Sequence, residues 1–495
     1  MGTVTGYIVA SSGLEASRWG AIGAMAYTGW FVGFLVVAVV VYRLRTNYGY
    51  TSIFEAVHDR YGVYACVLYA LIFAYRIHQL VWQNIAAGAA MFGAAGAYSQ
   101  TEASVVTTGV SLADVSSQRN TDYWIAVGLL AGIPLVAAMT GGRRWSMLVA
   151  AALSFVLVVV LALQDVELCN RSEASCVDYM SLSIKTPDSQ LYGMDLLILT
   201  GIQGLFAYPW HDPVIMDHAF LASPLKMAWA FCSAFVAAIV VIAAHSTAGL
   251  HAFLQVVQST GSVWSGILPT YYSLFAFDNL TYAMIGYGQL ILCVTALTAT
   301  LVSAGQFVAF DLAGIFGDKH KPVSPFSKAA VDPARVKYAR FAMVFFTVVG
   351  VGVFAIGDDW LVDVSNVALT PIMSLGLGMP IVFMELVSGV RPFAFIAPVL
   401  VAAIVGILHA FDSEMIYNNE LLFGDGAYKY DLAIGVLAAG ASIPFFALGW
   451  LYRVGDSTNR GDSPTSTKKA SNDAAPVAAA EYEYYDDEEE YEYYE

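Results

Sequence analysis

FAYPWHDPVIMDHAFLASP, residues 206–224, places two Asp, two His and three Pro in the middle of a chain made mostly of apolar runs of membrane length. An ionised Asp at mid-bilayer costs roughly 2.5–3.5 kcal/mol on the insertion scale. Pro209 and Pro213 remove amide donors and discourage a continuous helix. Such a stretch lines a polar cavity or lies at the mouth of the membrane, because lipid satisfies neither charge nor broken backbone. A helix that breaks near the membrane centre exposes carbonyls and amides, which is what a solute or ion site needs. Gln203, Tyr208 and Trp210 lie within the apolar run and read either as cavity lining or as packing. His211 and Asp212 follow directly. Asp217 and His218 sit just before Ala222-Ser223-Pro224-Leu225-Lys226, so a polar loop after the helix end competes with a proton-carrying or gating role.

The surrounding chain is a membrane protein. Of 495 residues 58% are hydrophobic and 13% charged, and the mean hydropathy is +0.63, against roughly a quarter charged in soluble domains. Apolar runs at 20–44, 63–96, 122–141, 145–164, 193–211, 225–248, 282–313, 335–356, 362–388, 392–411 and 430–452 predict about eleven full membrane helices in an all-α bundle. A shorter piece, 3–14, precedes them and is too short to span. The net charge of −16 owes much to the last fifteen residues, EYEYYDDEEEYEYYE, which hold nine acids, six Tyr and no base. No nucleic-acid partner is implied. Residues 1–453 therefore read as the bundle and 454–495 as a disordered, solvated tail, with docking or phosphorylation by cytosolic partners as the sharper alternative.

Basic residues alternate along the chain. Arg43, Arg45, Arg143, Arg144, Lys226, Lys319, Lys321, Lys328, Arg335, Lys337, Arg391 and Arg453 mark one set of loops, which the positive-inside rule places in the cytoplasm together with the tail. The opposite loops carry Cys169 and Cys176, the sequon Asn170-Arg171-Ser172 and the sequon Asn279-Leu280-Thr281. A Cys169–Cys176 disulfide and glycans at Asn170 and Asn279 are the corresponding expectations, in a multi-pass protein of the plasma membrane.

Two more segments carry polar chemistry. In AYRIHQLVWQNIAAG, residues 74–88, Arg76, Gln79 and Gln83 recur at helical spacing and share one face, with Trp82 at its edge and His78 and Asn84 nearby. That face either seals helix to helix by hydrogen bonds or borders a solute pathway. In CVTALTATLVSAGQFVAFDLAGIFGDK, residues 293–319, the hydroxyls of Thr295, Thr298, Thr300 and Ser303 either bond back to the preceding turn or serve a bare Na⁺. Neither a nucleophile–base pair nor a His-x-x-x-His spacing is present, so neither an enzyme nor a metal centre other than sodium is expected, and no cofactor.

The order of motifs resembles the sodium:solute symporter family, nearest its urea-transporter-like branch. YRLRTNYGYTSIFEAVHDRYG (42–62) is similar to the loop after the second core helix. LVAAMTGGRRWSMLVAAALSFVLVVV (135–160) resembles the Thr-Gly-Gly turn between core helices four and five. TALTATLVSAGQFVAFDLAGIF (295–316) resembles the hydroxyl-rich eighth core helix ending in an Asp, here Asp311. IVASSGLEASRWGAIGAMAYTGW (8–30) is similar to the end of core helix one and the start of two. The resemblance implies a five-plus-five inverted-repeat, LeuT-like bundle with core helices one and six broken. It implies a Na⁺ site from the carbonyls near Val4 and Leu292 and the hydroxyls of Thr295 and Thr298, with Ala296 where the family often has Ser. It places a solute wall at Gln203, Gly204, Ala207 and Tyr208, with Gln79, Trp82 and Trp210 beside it. Asp217 stands where a family Arg aligns. Core helix one is incomplete before Val4, as in an N-terminally truncated chain. Na⁺-coupled symport of a small polar solute leads. Proton coupling through His211, Asp212, Asp217, Arg76 and His78 is one alternative, and a non-transporting sensor or scaffold presenting the tail is another. Non-reducing peptide mapping of protein passed through an oxidising secretory route should show Cys169 and Cys176 in one cross-linked species; two free thiols there would refute the pairing.

Overall fold

The computed structural model describes residues 4–98, 121–171, 193–260, 279–316, 333–356, 372–385, 392–411 and 428–454, and every regular element among them is helical. Residues 1–451 form one compact unit. Among the described residues, eight helices are long and apolar enough to cross a membrane, and Met194–Phe206 and Phe393–His409 are shorter apolar helices. The protein is an integral, multi-pass helical bundle.

Helix α1, Gly6–Trp19, is capped by Thr5, whose hydroxyl accepts the Ile8 amide at 3.2 Å. It runs five residues past the expected end at residue 14. Glu15 does not stop it because its carboxylate is buried and satisfied, by the Trp19 indole at 2.9 Å and the Tyr428 hydroxyl at 2.6 Å. The next crossing is built from α2, Ala21–Ala26, a 3₁₀ segment, Tyr27–Phe31, and α3, Val32–Tyr48. It ends at Gly49 in the left-handed region, with its amide returned to Arg45. A capping box starts α4, Ile53–Tyr61: Ser52 accepts the Glu55 amide at 3.1 Å and Glu55 accepts the Thr51 amide at 3.0 Å. Helix α5 is Val63–Tyr98.

Helix α6, Thr121–Arg171, is helical throughout where two helices, 122–141 and 145–164, are expected. It is nevertheless folded back on itself. Leu130 meets Gly88 beside Cys293, while Leu157 reaches Gly288. Gly288 and Cys293 are little more than one turn apart, yet a straight helix would put Leu130 and Leu157 roughly 40 Å apart. The reversal falls at Gly141, where the Trp145 side chain sits so close that a Cβ would be 2.1 Å from it. That is the Thr-Gly-Gly segment, so the two spans Tyr123–Gly141 and Trp145–Glu167 remain separate crossings.

Three pieces follow: α7, Met194–Phe206, α8, Tyr208–His211, and α9, Pro213–His218. The expected continuous 193–211 is thus interrupted at Ala207. Helix α10 is Pro224–Thr260 and α11 is Asn279–Gln306, continued by a π-helical turn, Phe307–Leu312. Helix α12 is Pro333–Ile356. The described part of the expected helix 362–388 is not continuous; a 3₁₀ turn, Leu375–Leu377, leads into the short α13, Gly378–Val382. Gly376 there lies against the Pro398 carbonyl and Gly378 against Phe206, so this irregular backbone is pressed onto the end of α7. Helices α14, Phe393–Phe411, and α15, Lys429–Val454, complete the bundle.

A close backbone crossing brings the 3₁₀ segment onto α7. A Cβ on Gly204 would lie 2.3 Å from the Gly29 carbonyl oxygen, while one on Gly201, a turn away, would meet nothing within 4 Å. Gly204→Ala is expected to lose about 1–3 kcal/mol by overpacking, read as a lower melting midpoint in detergent. Gly201→Ala should leave it unchanged or raise it; equal effects at both positions would refute this account.

Candidate functional site

The interruption after α7 is the centre of the site. Ala207 leaves helical geometry at φ −126°, ψ −65°, and Asp212 is extended at φ −86°, ψ 114°. Pro209 and Pro213 occupy the first turns of α8 and α9, where a missing amide is tolerated. The groups set free are claimed one by one. Asp212 Oδ1 accepts the amides of Val214 and Ile215, both at 3.0 Å, and caps α9. His211 Nδ1 donates to the Ala207 carbonyl at 2.8 Å, which leaves Nε2 as the bare nitrogen. Tyr69, on α5, donates to the Trp210 carbonyl, and the Trp210 indole donates to the Leu205 carbonyl at 3.1 Å. Residues 207–216 are all buried.

Around this break stands a compact polar and aromatic group. The Trp30 indole donates to Gln203 Oε1 at 2.6 Å, and the Trp30 ring stacks on Tyr208 at 5.3 Å with 5° between planes. From α5, Arg76 lies 3.9 Å from Asp212 Oδ2, donates to Gln79 Oε1 at 2.6 Å, and sits 5.9 Å over the Tyr208 ring. The side chains of Arg76 and Asp212 are 8% and 2% exposed, so this is a buried ion pair. Gln203 Nε2, Arg76 Nε and His211 Nε2 are buried without a partner. Two donors and one acceptor thus stay unspent around one aromatic pair, which is recognition capacity for a polar ligand.

The sequence-derived residues divide accordingly. Gln203, Tyr208, His211, Asp212, Arg76 and Gln79 come together. Gly204 serves the close approach to Gly29, and Ala207 packs with Ile372, Leu375, Ala402, Ile434 and Ala438. Trp210 lies in the main core. Trp82 packs with Val81, Ile85, Leu297 and Val353, on the side of α12 rather than at the break. His78 has a buried, unpartnered Nδ1 and joins no contact of the group. Asp217 belongs to the last turn of α9 and accepts the Ser303 hydroxyl at 3.2 Å, away from the break.

On α11, Leu292, Thr295, Ala296 and Thr298 are all buried. The Thr295 and Thr298 hydroxyls donate to the carbonyls of Ile291 and Val294, the latter at 2.7 Å, which leaves their oxygen lone pairs open. Val4, buried, immediately precedes the Thr5 cap, and Gly6 abuts Gln289 and Cys293, one turn before these hydroxyls. The side chains of Cys169, Asn170, Cys176 and Asn279 lie outside the described residues, as does the Tyr-rich end of the tail. Trp30 and Tyr69 escaped the sequence reading. An aromatic in an apolar run has no polar signature, and the only hint at Trp30 is the glycine on its N-terminal side.

No family model matches the sequence, and no curated protein matches it. Solved structures do. A Na⁺-coupled sialic acid symporter in a substrate-bound, outward-open state superposes with a TM-score of 0.54 at 13% identity, over 90% of this chain and 89% of that one. Mhp1, a nucleobase-cation-symport-1 family transporter in a closed conformation with bromovinylhydantoin bound, gives 0.50 at 11% identity, over 90% and 91%. The fold is that of the LeuT-like transporters. The broken α7–α8–α9 segment is consistent with that fold, and the all-α multi-pass architecture expected from the sequence holds.

The buried pair has a consequence for stability. Asp212→Asn keeps the α9 cap but strands Arg76, and removing one partner of a buried pair costs about 3–5 kcal/mol. Adding Arg76→Met should recover most of the lost melting temperature. A double variant no more stable than Asp212→Asn alone would show that the pair is not coupled.

Proposed function

We propose that the chain is a secondary active transporter that moves a small polar solute by alternating access, coupled to Na⁺. The observation that carries this reading is the mid-bundle helix break, fully buried, with unpaired polar atoms of Gln203, Arg76 and His211 gathered beside the stacked Trp30–Tyr208 pair. A purely structural bundle gains nothing from breaking a membrane helix and leaving such atoms unpartnered. Arg76 and Asp212 already neutralise each other, which favours a solute that is neutral or internally balanced over one with a net charge. Urea, amino acids and sugars meet that description; a monocarboxylate does so only with a co-transported cation. Gln203 Nε2, Arg76 Nε and His211 Nε2 would hold the solute, and Trp30 and Tyr208 would pack its less polar face.

Sodium coupling is supported by the buried Thr295 and Thr298 oxygens near the start of α1, and by the Na⁺-coupled sialic acid symporter of similar fold. The driving force is sufficient. A tenfold Na⁺ gradient supplies about 1.4 kcal/mol, and about 2.3 kcal/mol more comes from 100 mV, enough for roughly 500-fold accumulation by one ion. In proteoliposomes, an inward Na⁺ gradient should drive uptake of one member of a panel of small neutral and zwitterionic solutes, and replacing Na⁺ by K⁺ should abolish it. Gln203→Ala should lower the uptake efficiency by about tenfold or more, as expected for loss of a buried hydrogen bond to the solute. Deleting 454–495 should leave uptake intact. Uptake that follows a proton gradient without Na⁺ would replace the ion in this reading, and no uptake of any panel member would favour a sensor or scaffold.

A further inference from the structure

His211 ends the short helix α8, and its ring is committed on one side only. Nδ1 lies 2.8 Å from the Ala207 carbonyl. A carbonyl oxygen can only accept, so Nδ1 carries the hydrogen and Nε2 presents a lone pair. The side chain is fully buried, and Nε2 has no partner. The ring stands nearly perpendicular to that of Tyr208, with 6.2 Å between centroids. Tyr208 is also the ring on which Trp30 stacks and over which Arg76 lies. The carbonyl at the helix break therefore sets the tautomer of a histidine beside the aromatic pair.

The other two unspent atoms have the opposite polarity. Gln203 gives its oxygen to the Trp30 indole at 2.6 Å, which orients the amide and leaves Nε2 as a donor. Arg76 turns one terminal nitrogen to Gln79 and the other to Asp212, and Nε remains. Each polarity is fixed by a second contact of the same side chain, and none of the three is a hydroxyl that could rotate to suit its ligand.

A solute among them meets two donors and one acceptor. A carbonyl oxygen, with two lone pairs, answers the donors, and an adjoining N–H answers the acceptor. A carboxamide or lactam carries both on one group. An ammonium suits His211 Nε2 poorly, because Arg76 is the charge that acts on that ring. The Asp212 carboxylate is already taken by Arg76 and by the amides of α9. A polyol would bring several O–H donors to the one acceptor among the three and leave others unpaired.

We infer that His211 is the specificity-determining acceptor of the site, admitting an uncharged amide whose N–H meets Nε2 while Gln203 Nε2 and Arg76 Nε receive its carbonyl. The inference rests on the reading of the chain as a solute transporter and narrows the solute within it. His211 then serves as a fixed lone pair and not as a proton carrier.

Two measurements on the full chain test this. The first is the ¹⁵N spectrum of histidine-labelled protein in nanodiscs, with the His211 signals assigned by their loss in His211→Gln. One protonated and one bare ring nitrogen are expected, the bare one shifting when acetamide, 2-pyrrolidone or nicotinamide binds. The second is Na⁺-driven uptake of these amides in proteoliposomes, beside their fully N-alkylated counterparts, glycine and glucose. At least one amide should enter, and its N-alkylated counterpart should do so about tenfold less well or worse, because it leaves Nε2 unpaired. His211→Leu should erase that preference. His211→Gln should keep it, since its amide can serve the Ala207 carbonyl and still offer an oxygen. If His211→Leu fails to fold, the wild-type spectrum and uptake ratio carry the test. A ring with Nε2 protonated, or equal uptake of parent and N-alkylated amides, would overturn the inference. Uptake of glycine or glucose but of no amide would overturn it and leave the transporter reading intact. An amide that shifts the Nε2 signal without being taken up would support the role of His211 and count against transport. No uptake and no shift would overturn both.

Discussion

A helix cut open inside a bilayer must find a partner for every backbone group it releases, because lipid offers none. This requirement governs the centre of the protein. Asp212 takes the two first amides of α9, the His211 ring takes the Ala207 carbonyl, Tyr69 takes the Trp210 carbonyl, and the Trp210 indole takes that of Leu205. The side chains that seemed out of place in an apolar run are largely the ones that repair the break. What remains unrepaired is on Gln203, Arg76 and His211, residues grouped around the Trp30–Tyr208 pair.

Repair with an Asp brings its own difficulty, since a buried carboxylate is costly unless paired and hydrogen-bonded. Arg76 supplies the charge from α5, and Gln79 occupies one of its nitrogens. The Tyr208 ring, backed by Trp30, lies beside the Arg76 guanidinium. The chain of dependence runs from proline and aspartate in the sequence, through capping, to an ion pair between two helices, and so to a fixed distance between α5 and the broken segment.

Close packing and polar ties hold the rest of the bundle to this centre. Glycines at 29, 33 and 204 let the 3₁₀ segment and α3 approach the break at backbone distance. At the Arg43 end, Arg45 donates to the Ala219 carbonyl at 3.2 Å, Tyr61 to that of Pro380 at 2.6 Å, and Glu385 receives Asn47 beside Arg43. At the other end, the Tyr428 hydroxyl joins Glu15 and its amide donates to Asp195 at 2.6 Å, linking α1, α7 and the start of α15.

By itself the sequence determined the class of protein, the places of most membrane helices and the presence of a break near Pro209 and Pro213. These follow from apolar length and from the chemistry of proline, which act locally and leave a periodic or compositional trace. It also singled out Arg76, Gln79, Gln203 and Asp212, because charge and amides are conspicuous in apolar surroundings. Only the tertiary structure decided that Arg76 meets Asp212 rather than solvent, that Trp82 and Ala207 face away while Trp30 faces in, that Glu15 continues α1 instead of ending it, and that Asp217 meets Ser303 away from the break. Those outcomes depend on which helix lies opposite at a given height, and residues more than a hundred positions apart in the chain share no periodicity from which their contact could be read.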